Sequence, residues 1–158
     1  YLATHSPNTL LLAAGGVADG RGIAAALMLG ADGVLMGSRL WATQESLAAP
    51  GAKALAVQTT GDGTARSEIF DILRRKNWPA PYDFRAIRND LHRALERDIT
   101  GLKTKPDAAR ADYDAGMKTG DFSRAHVTVG EGVGLITDIL SATDILKQIS
   151  EQAAHKLG

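Results

Sequence analysis

The strongest constraint on this chain is a pair of short apolar runs, each stopped by a glycine turn. Residues 9–14 (Thr-Leu-Leu-Leu-Ala-Ala) end at Gly15-Gly16, and residues 33–36 (Gly-Val-Leu-Met) end at Gly37-Ser38. A continuous apolar run of this length, bounded by turn residues, is the pattern of a parallel strand covered on both faces. Between the runs, Asp19 is placed to cap a helix, Ile23, Ala24, Leu27 and Met28 repeat at helical spacing, and Gly30 ends it. Strand, helix and strand joined by tight loops make two parallel neighbours linked by a right-handed crossover. The predicted class is α/β.

The remainder is predicted to be mostly helical. A helix is expected over 46–58, interrupted early by Pro50-Gly51, followed by a glycine-rich turn at 60–64. Pro79 and Pro81 make 77–82 an ordered loop. An amphipathic helix is predicted over 83–98, and another over 106–118 with Pro106 in its first turn and Gly120 beyond its end. Residues 127–136 contain Gly130, Gly132 and Gly134, too much glycine for a stable helix, and predict backbone threaded close to another part of the molecule. Ser141 caps a final helix reaching about Lys156.

Composition narrows the function classes. At 158 residues and 44% hydrophobic the chain can build a core. Lys plus Arg and Asp plus Glu number 18 each, so no net field draws in nucleic acid or an anionic membrane. The absence of cysteine excludes disulfides, thiolate nucleophiles and cysteine-based metal sites and lends secretion no support. No apolar run approaches the roughly 18 residues of a membrane span. A soluble, cytoplasmic protein is expected. Its first residue is Tyr1 rather than Met, and a strand follows within about ten residues, as in part of a longer protein.

Two glycine turns at the carboxyl ends of adjacent parallel strands are the feature that carries chemistry. In an eight-stranded α/β barrel, which typically needs roughly 250 residues, the loops after strands seven and eight make a phosphate site from main-chain N–H groups. Glycine suits such turns because a Cβ would hold the backbone away from the phosphate oxygens and because the turn can require positive φ. Ser38 adds a hydroxyl donor, and the residues from Arg39 onward are placed to begin a helix. The predicted architecture is therefore the carboxyl-terminal part of a (β/α)8 TIM barrel, strands 7 and 8 within residues 1–60, with 61–158 a helical extension packing on it. With two strands alone no barrel closes, and open edges call for the other barrel half or a second copy as partner. The spacing does not distinguish a flavin phosphate from a sugar phosphate.

The run Ala13-Ala14-Gly15-Gly16-Val17-Ala18-Asp19-Gly20-Arg21-Gly22, with Gly30-Ala31-Asp32-Gly33-Val34-Leu35-Met36-Gly37-Ser38-Arg39, resembles the flavin-phosphate segment of the nitronate monooxygenase (2-nitropropane dioxygenase) family. Phe70-Asp71-Ile72, Trp78-Pro79 and Gly130-Glu131-Gly132-Val133-Gly134-Leu135-Ile136 resemble that family's carboxyl-terminal region, so the likeness covers nearly the whole chain. Related barrels such as inosine monophosphate dehydrogenase share the two turns but are not expected to share this tail. The resemblance implies FMN held at its phosphate by Gly15, Gly16, Gly37 and Ser38, with Leu35 and Met36 backbone nearby. It implies oxidation of an alkyl nitronate, the flavin taking an electron from the anionic substrate and then meeting dioxygen. The alternatives it leaves open are an FMN-dependent NADH:quinone or enoyl-carrier-protein reductase on the same barrel, and a non-catalytic piece.

The family's catalytic histidine sits in a glycine-flanked motif, and none of His5, His92, His126 and His155 has that context, so no catalytic residue is assigned. His92 is expected on a helix surface or between helices, and His126 is of interest because the glycine segment follows it. Arg21 is expected to be exposed or ion-paired. Arg39 can hold the anion or pair with Glu45, and Glu131 can approach the flavin or cap a turn. Trp78 and Tyr82 are expected to pack the tail onto the barrel, and the charges of 83–98 to form a solvated face.

Overall fold

Asp19 fills the role its position predicts. In the computed structural model, which describes all residues 1–158, its carboxylate accepts from the Gly22 N–H and caps helix α2 (Gly20–Met28). That helix joins strands β1 (Leu12–Ala14) and β2 (Gly33–Leu35), which pair in parallel with Leu12 opposite Gly33 and Ala14 opposite Leu35. A short helix α1 (Leu2–His5) precedes β1. The crossover unit is thus as expected, with one difference: β1 and β2 are not covered on both faces. Leu10, Leu12 and Leu35 are 76%, 57% and 63% exposed, because no other part of this chain lies over them.

Beyond β2 the chain turns at once into α3 (Ser38–Trp41). The helix expected over 46–58 begins only at α4 (Pro50–Val57), with Pro50 in the first turn, where its missing N–H costs nothing. The buried Lys53 amine donates to the carbonyls of Thr43, Gln44 and Ser46 and so ties α4 to the preceding loop.

The expected helix over 83–98 is the main departure. Phe84–Ile87 form β4, antiparallel to β3 (Thr64–Ser67), with Thr64 opposite Ile87 and Ser67 opposite Phe84. Between these strands lie α5 (Ile69–Leu73) and the loop through Pro79 and Pro81, which is non-helical as expected. Helix begins again only at α6 (Asp90–Leu95), and α7 (Ile99–Thr104) follows. Tertiary partners decide this: the Ile87 N–H donates to the Val127 carbonyl, and Asn89 caps α6 while donating to the carbonyls of Phe122 and Ala125. The chain from 61 to 158 is therefore helical with a two-stranded sheet inside it.

Helices α8 (Asp107–Thr119) and α9 (Ala142–Leu157) fall where predicted, α8 closing on Gly120 in the left-handed region (φ 72°) and α9 capped by Ser141. Helix α9 packs on α2 through Ile145, Ile149 and Ala153, all buried. Burying one such isoleucine stabilises by about 1.5–3 kcal/mol. Two apolar clusters result. One, centred on Val133, Ile136 and Ala56, joins α4 and the 127–136 segment to the end of the first sheet. The other surrounds Phe70 with Leu73, Leu91, Leu102 and Tyr113. Trp78 and Tyr82 join neither and are 58% and 66% exposed.

Candidate functional site

Gly15 and Gly16 follow β1 with φ of 100° and 72°, a region costly to any residue with a Cβ. Gly37 follows β2 with φ of −99°, so its backbone does not require glycine. At all three, an added Cβ would project into open space. That space is a cavity of about 370 Å³ lined by Ala14, Gly15, Gly16, Val17, Ala18, Leu35, Met36, Gly37, Ser38 and Arg39 on one side. All six residues singled out from the sequence as flavin-phosphate contacts therefore meet around one cavity.

The hydrogen-bonding of this rim shows what it can do. The main-chain N–H groups of Gly15, Gly16, Val17 and Gly37 donate to no protein acceptor. In a folded chain such donors are ordinarily paired, and here several gather beside one cavity with little side-chain bulk between them. An anion with several oxygens satisfies them; an apolar ligand does not. Helix α3, at four residues, adds individual N–H groups rather than an appreciable macrodipole.

The cavity's far wall comes from 92 residues away. The Gly130 N–H donates to the Ser38 hydroxyl oxygen at 2.7 Å, and Gly130 and Gly132 both line the cavity. A Cβ on Gly132 would lie 2.9 Å from Gly16 Cα and 3.1 Å from its carbonyl oxygen. The glycine run 130–134 is thus threaded against both turns. Its composition signalled a close approach; the partner could not be read from it, because nothing in the sequence states which surface it meets.

Arg39 resolves differently from either expectation. Its buried guanidinium donates to the Asp138 carbonyl at 3.1 Å and carboxylate at 2.5 Å, while Glu45 accepts from the Ala142 N–H. Arg39 is committed to Asp138 and supplies no free charge to the cavity. Arg21 pairs with Asp19 as expected, and hydrogen bonds from Gly22 and Arg21 hold the Asp19 carboxyl below its usual range against the opposing effect of burial. The Glu131 side chain is largely exposed and pairs with Arg85 at 3.3 Å.

No histidine lines the cavity. His92 is buried, not on a surface, and shares a 2.9 Å hydrogen bond with Ser67; burial pushes its pKa down. His126 lies among Phe70, Phe84 and Tyr113, hydrogen-bonded to Tyr113 at 2.7 Å, and burial, with Arg74 nearby, lowers its pKa to about 4. Both are structural. His5 is exposed and contacts the Tyr1 carbonyl, and His155 lies near the exposed end of α9. Among the 158 residues no group of His, Asp and Glu is disposed to hold a metal ion, and no helix is long and apolar enough to cross a membrane.

Residues 8–152 match the family model described as nitronate monooxygenase. A nitronate monooxygenase of Neurospora crassa is 34% identical over 94% of this chain and 39% of its own length. An indene-carboxyl-CoA dehydrogenase of Mycobacterium tuberculosis is 48% identical over 88% of this chain and 48% of its own. FabK from Thermotoga maritima superposes with a TM-score of 0.74 at 28% identity, covering 95% of this chain and 46% of that one. The fold is the α/β fold of these TIM-barrel enzymes, and the chain spans less than half the length of each relative. Members of the matching family are flavin-dependent oxidoreductases, and this chain belongs to the nitronate monooxygenase family.

Proposed function

We propose that the cavity at the ends of β1 and β2 holds the phosphate of FMN, and that the protein is a nitronate monooxygenase-like oxidoreductase oxidising small alkyl nitronates with dioxygen. One observation carries this reading: two glycine turns on adjacent parallel strands, whose main-chain N–H groups have no protein acceptor, line a single cavity. Gly15, Gly16 and Gly37 contribute amides without side-chain bulk, Ser38 a hydroxyl, and Leu35 and Met36 the backbone that leads into the second turn. FMN supplies the electron chemistry, and the protein positions it and shapes the pocket. The residues of this chain grip and orient, and none of its histidines lines the cavity.

The same reading takes residues 1–60 as strands 7 and 8 of the barrel with their helices, and 61–158 as an extension packed on it. The exposed side chains of Leu10, Leu12 and Leu35 are the faces that neighbouring barrel strands cover, in keeping with the share of each relative that this chain spans. Small-molecule chemistry in the cytoplasm fits the balanced charge.

A second reading has its own support. The 48% identity to a CoA-thioester dehydrogenase and the superposition on FabK favour a flavin enzyme that exchanges electrons with a thioester or nicotinamide substrate. One set of assays separates the two. The purified protein should be yellow, release FMN on denaturation, and consume oxygen when given propionate 3-nitronate. Rapid bleaching by NADH or by a CoA thioester without nitronate turnover selects the second reading, and a colourless protein that FMN does not reconstitute eliminates both.

A further inference from the structure

We infer that the Gly130–Gly134 turn is the third wall of the anion cavity and sets its preference for a phosphate ester over a neutral ligand, an inference that rests on the FMN-phosphate reading above. The Ser38 hydroxyl oxygen accepts from Gly130 N–H and donates to no protein acceptor. Its own proton is therefore free for a ligand, and the incoming hydrogen bond from Gly130 strengthens it as a donor. Gly130 thus makes Ser38 a donor aimed at an anion rather than an acceptor.

Gly132 acts on the other turn. It sits so close to Gly16 that a methyl group there would press on main-chain atoms at 2.9 and 3.1 Å. The wall cannot yield by moving outward. Val133 and Ile136 are fully buried in the core, and the Glu131 carbonyl and Gly134 abut Gly61 from behind. A Cβ at position 132 therefore displaces the Gly15-Gly16 turn and its N–H groups. The consequence falls on whatever those N–H groups hold, which in the reading above is the phosphate.

Fluorescence titration of the apoprotein with FMN and with riboflavin tests this. The wild type should prefer FMN by about a hundredfold or more, and Gly132→Ala and Ser38→Ala should each weaken FMN by about tenfold or more, the usual scale for a lost bond to a charged group. Riboflavin affinity should change by no more than about twofold, with thermal unfolding confirming that the variants fold. Ser38→Ala adds no atoms and decides the matter if Gly132→Ala does not fold. Variants that keep the wild-type preference, or that lose both flavins equally, overturn the role of the wall while leaving the phosphate site intact. A wild type that binds FMN and riboflavin alike overturns the phosphate site itself, and the wall with it.

Discussion

The ring of His126 is enclosed by Phe70, Phe84 and Tyr113, and the Arg74 guanidinium stands 4.1 Å from the centre of the Phe84 ring. A proton on His126 is penalised by burial first and by Arg74 second, which takes its pKa from 6.5 to about 4. The neutral ring shares a hydrogen bond with the Tyr113 hydroxyl through Nδ1. The unfolded chain takes up this proton near pH 6.5 and the folded chain only near pH 4, so between those values the unfolded state binds more protons and acid destabilises. The loss attributable to His126 is on the order of 3 kcal/mol, and His92, whose pKa is also lowered, adds in the same direction. Asp19, Asp114 and Asp121, held below their usual 3.8 in the folded chain, add to the fall only at its acid end, while Asp71, whose pKa burial raises, takes up its proton more readily when folded and partly opposes it. Denaturant unfolding followed from pH 7 to pH 4 should show the fall, and His126→Gln should remove most of it; a flat profile contradicts the burial of a neutral imidazole. The sequence drew attention to His126 because of the glycines after it, yet the aromatic cage that decides its role comes from residues 13 to 56 positions away.

Helix α2 meets α9 at a point where the first residue of α2 must be glycine. A Cβ on Gly20 would lie 2.6 Å from both the Ala153 nitrogen and the Ile149 carbonyl oxygen, main-chain atoms that cannot rotate aside. Alanine in a helix is favoured over glycine by about 1 kcal/mol at most, while forcing extra volume into a close-packed contact costs about 1–3 kcal/mol or more. The clash wins, so Gly20→Ala should lower the unfolding free energy by about 2 kcal/mol; an unchanged or raised melting temperature would mean the two helices pack less closely than described. The elements the sequence revealed best were those with local signals of this kind: the Asp19 and Ser141 caps and the Gly120 stop. Residues 83–98 misled because their charges recur at helical spacing, while the pairing of Phe84–Ile87 with Thr64–Ser67 is a contact between distant residues. Asn89 was the available signal, since an Asn-Asp pair ahead of the apolar Leu91 is a helix start, which places whatever precedes it outside the helix.

At the scale of the molecule, the glycine turns were legible because each is fixed by its own strand, and the parallel pair brings them together. What encloses them was not, because the 130–134 wall reaches the cavity from across the chain and is held there by the core around Val133 and Ile136. The exposed faces of β1 and β2 likewise depend on residues outside this chain in the reading given above. The most direct measurement is a crystal structure of the protein with FMN bound. Phosphate oxygens are expected within about 3 Å of main-chain nitrogens in both the Gly15-Gly16 and the Gly37-Ser38 turns, with the Ser38 hydroxyl donating to one of them. A phosphate bound elsewhere, or turns whose N–H groups point away from it, would overturn the assignment of this cavity.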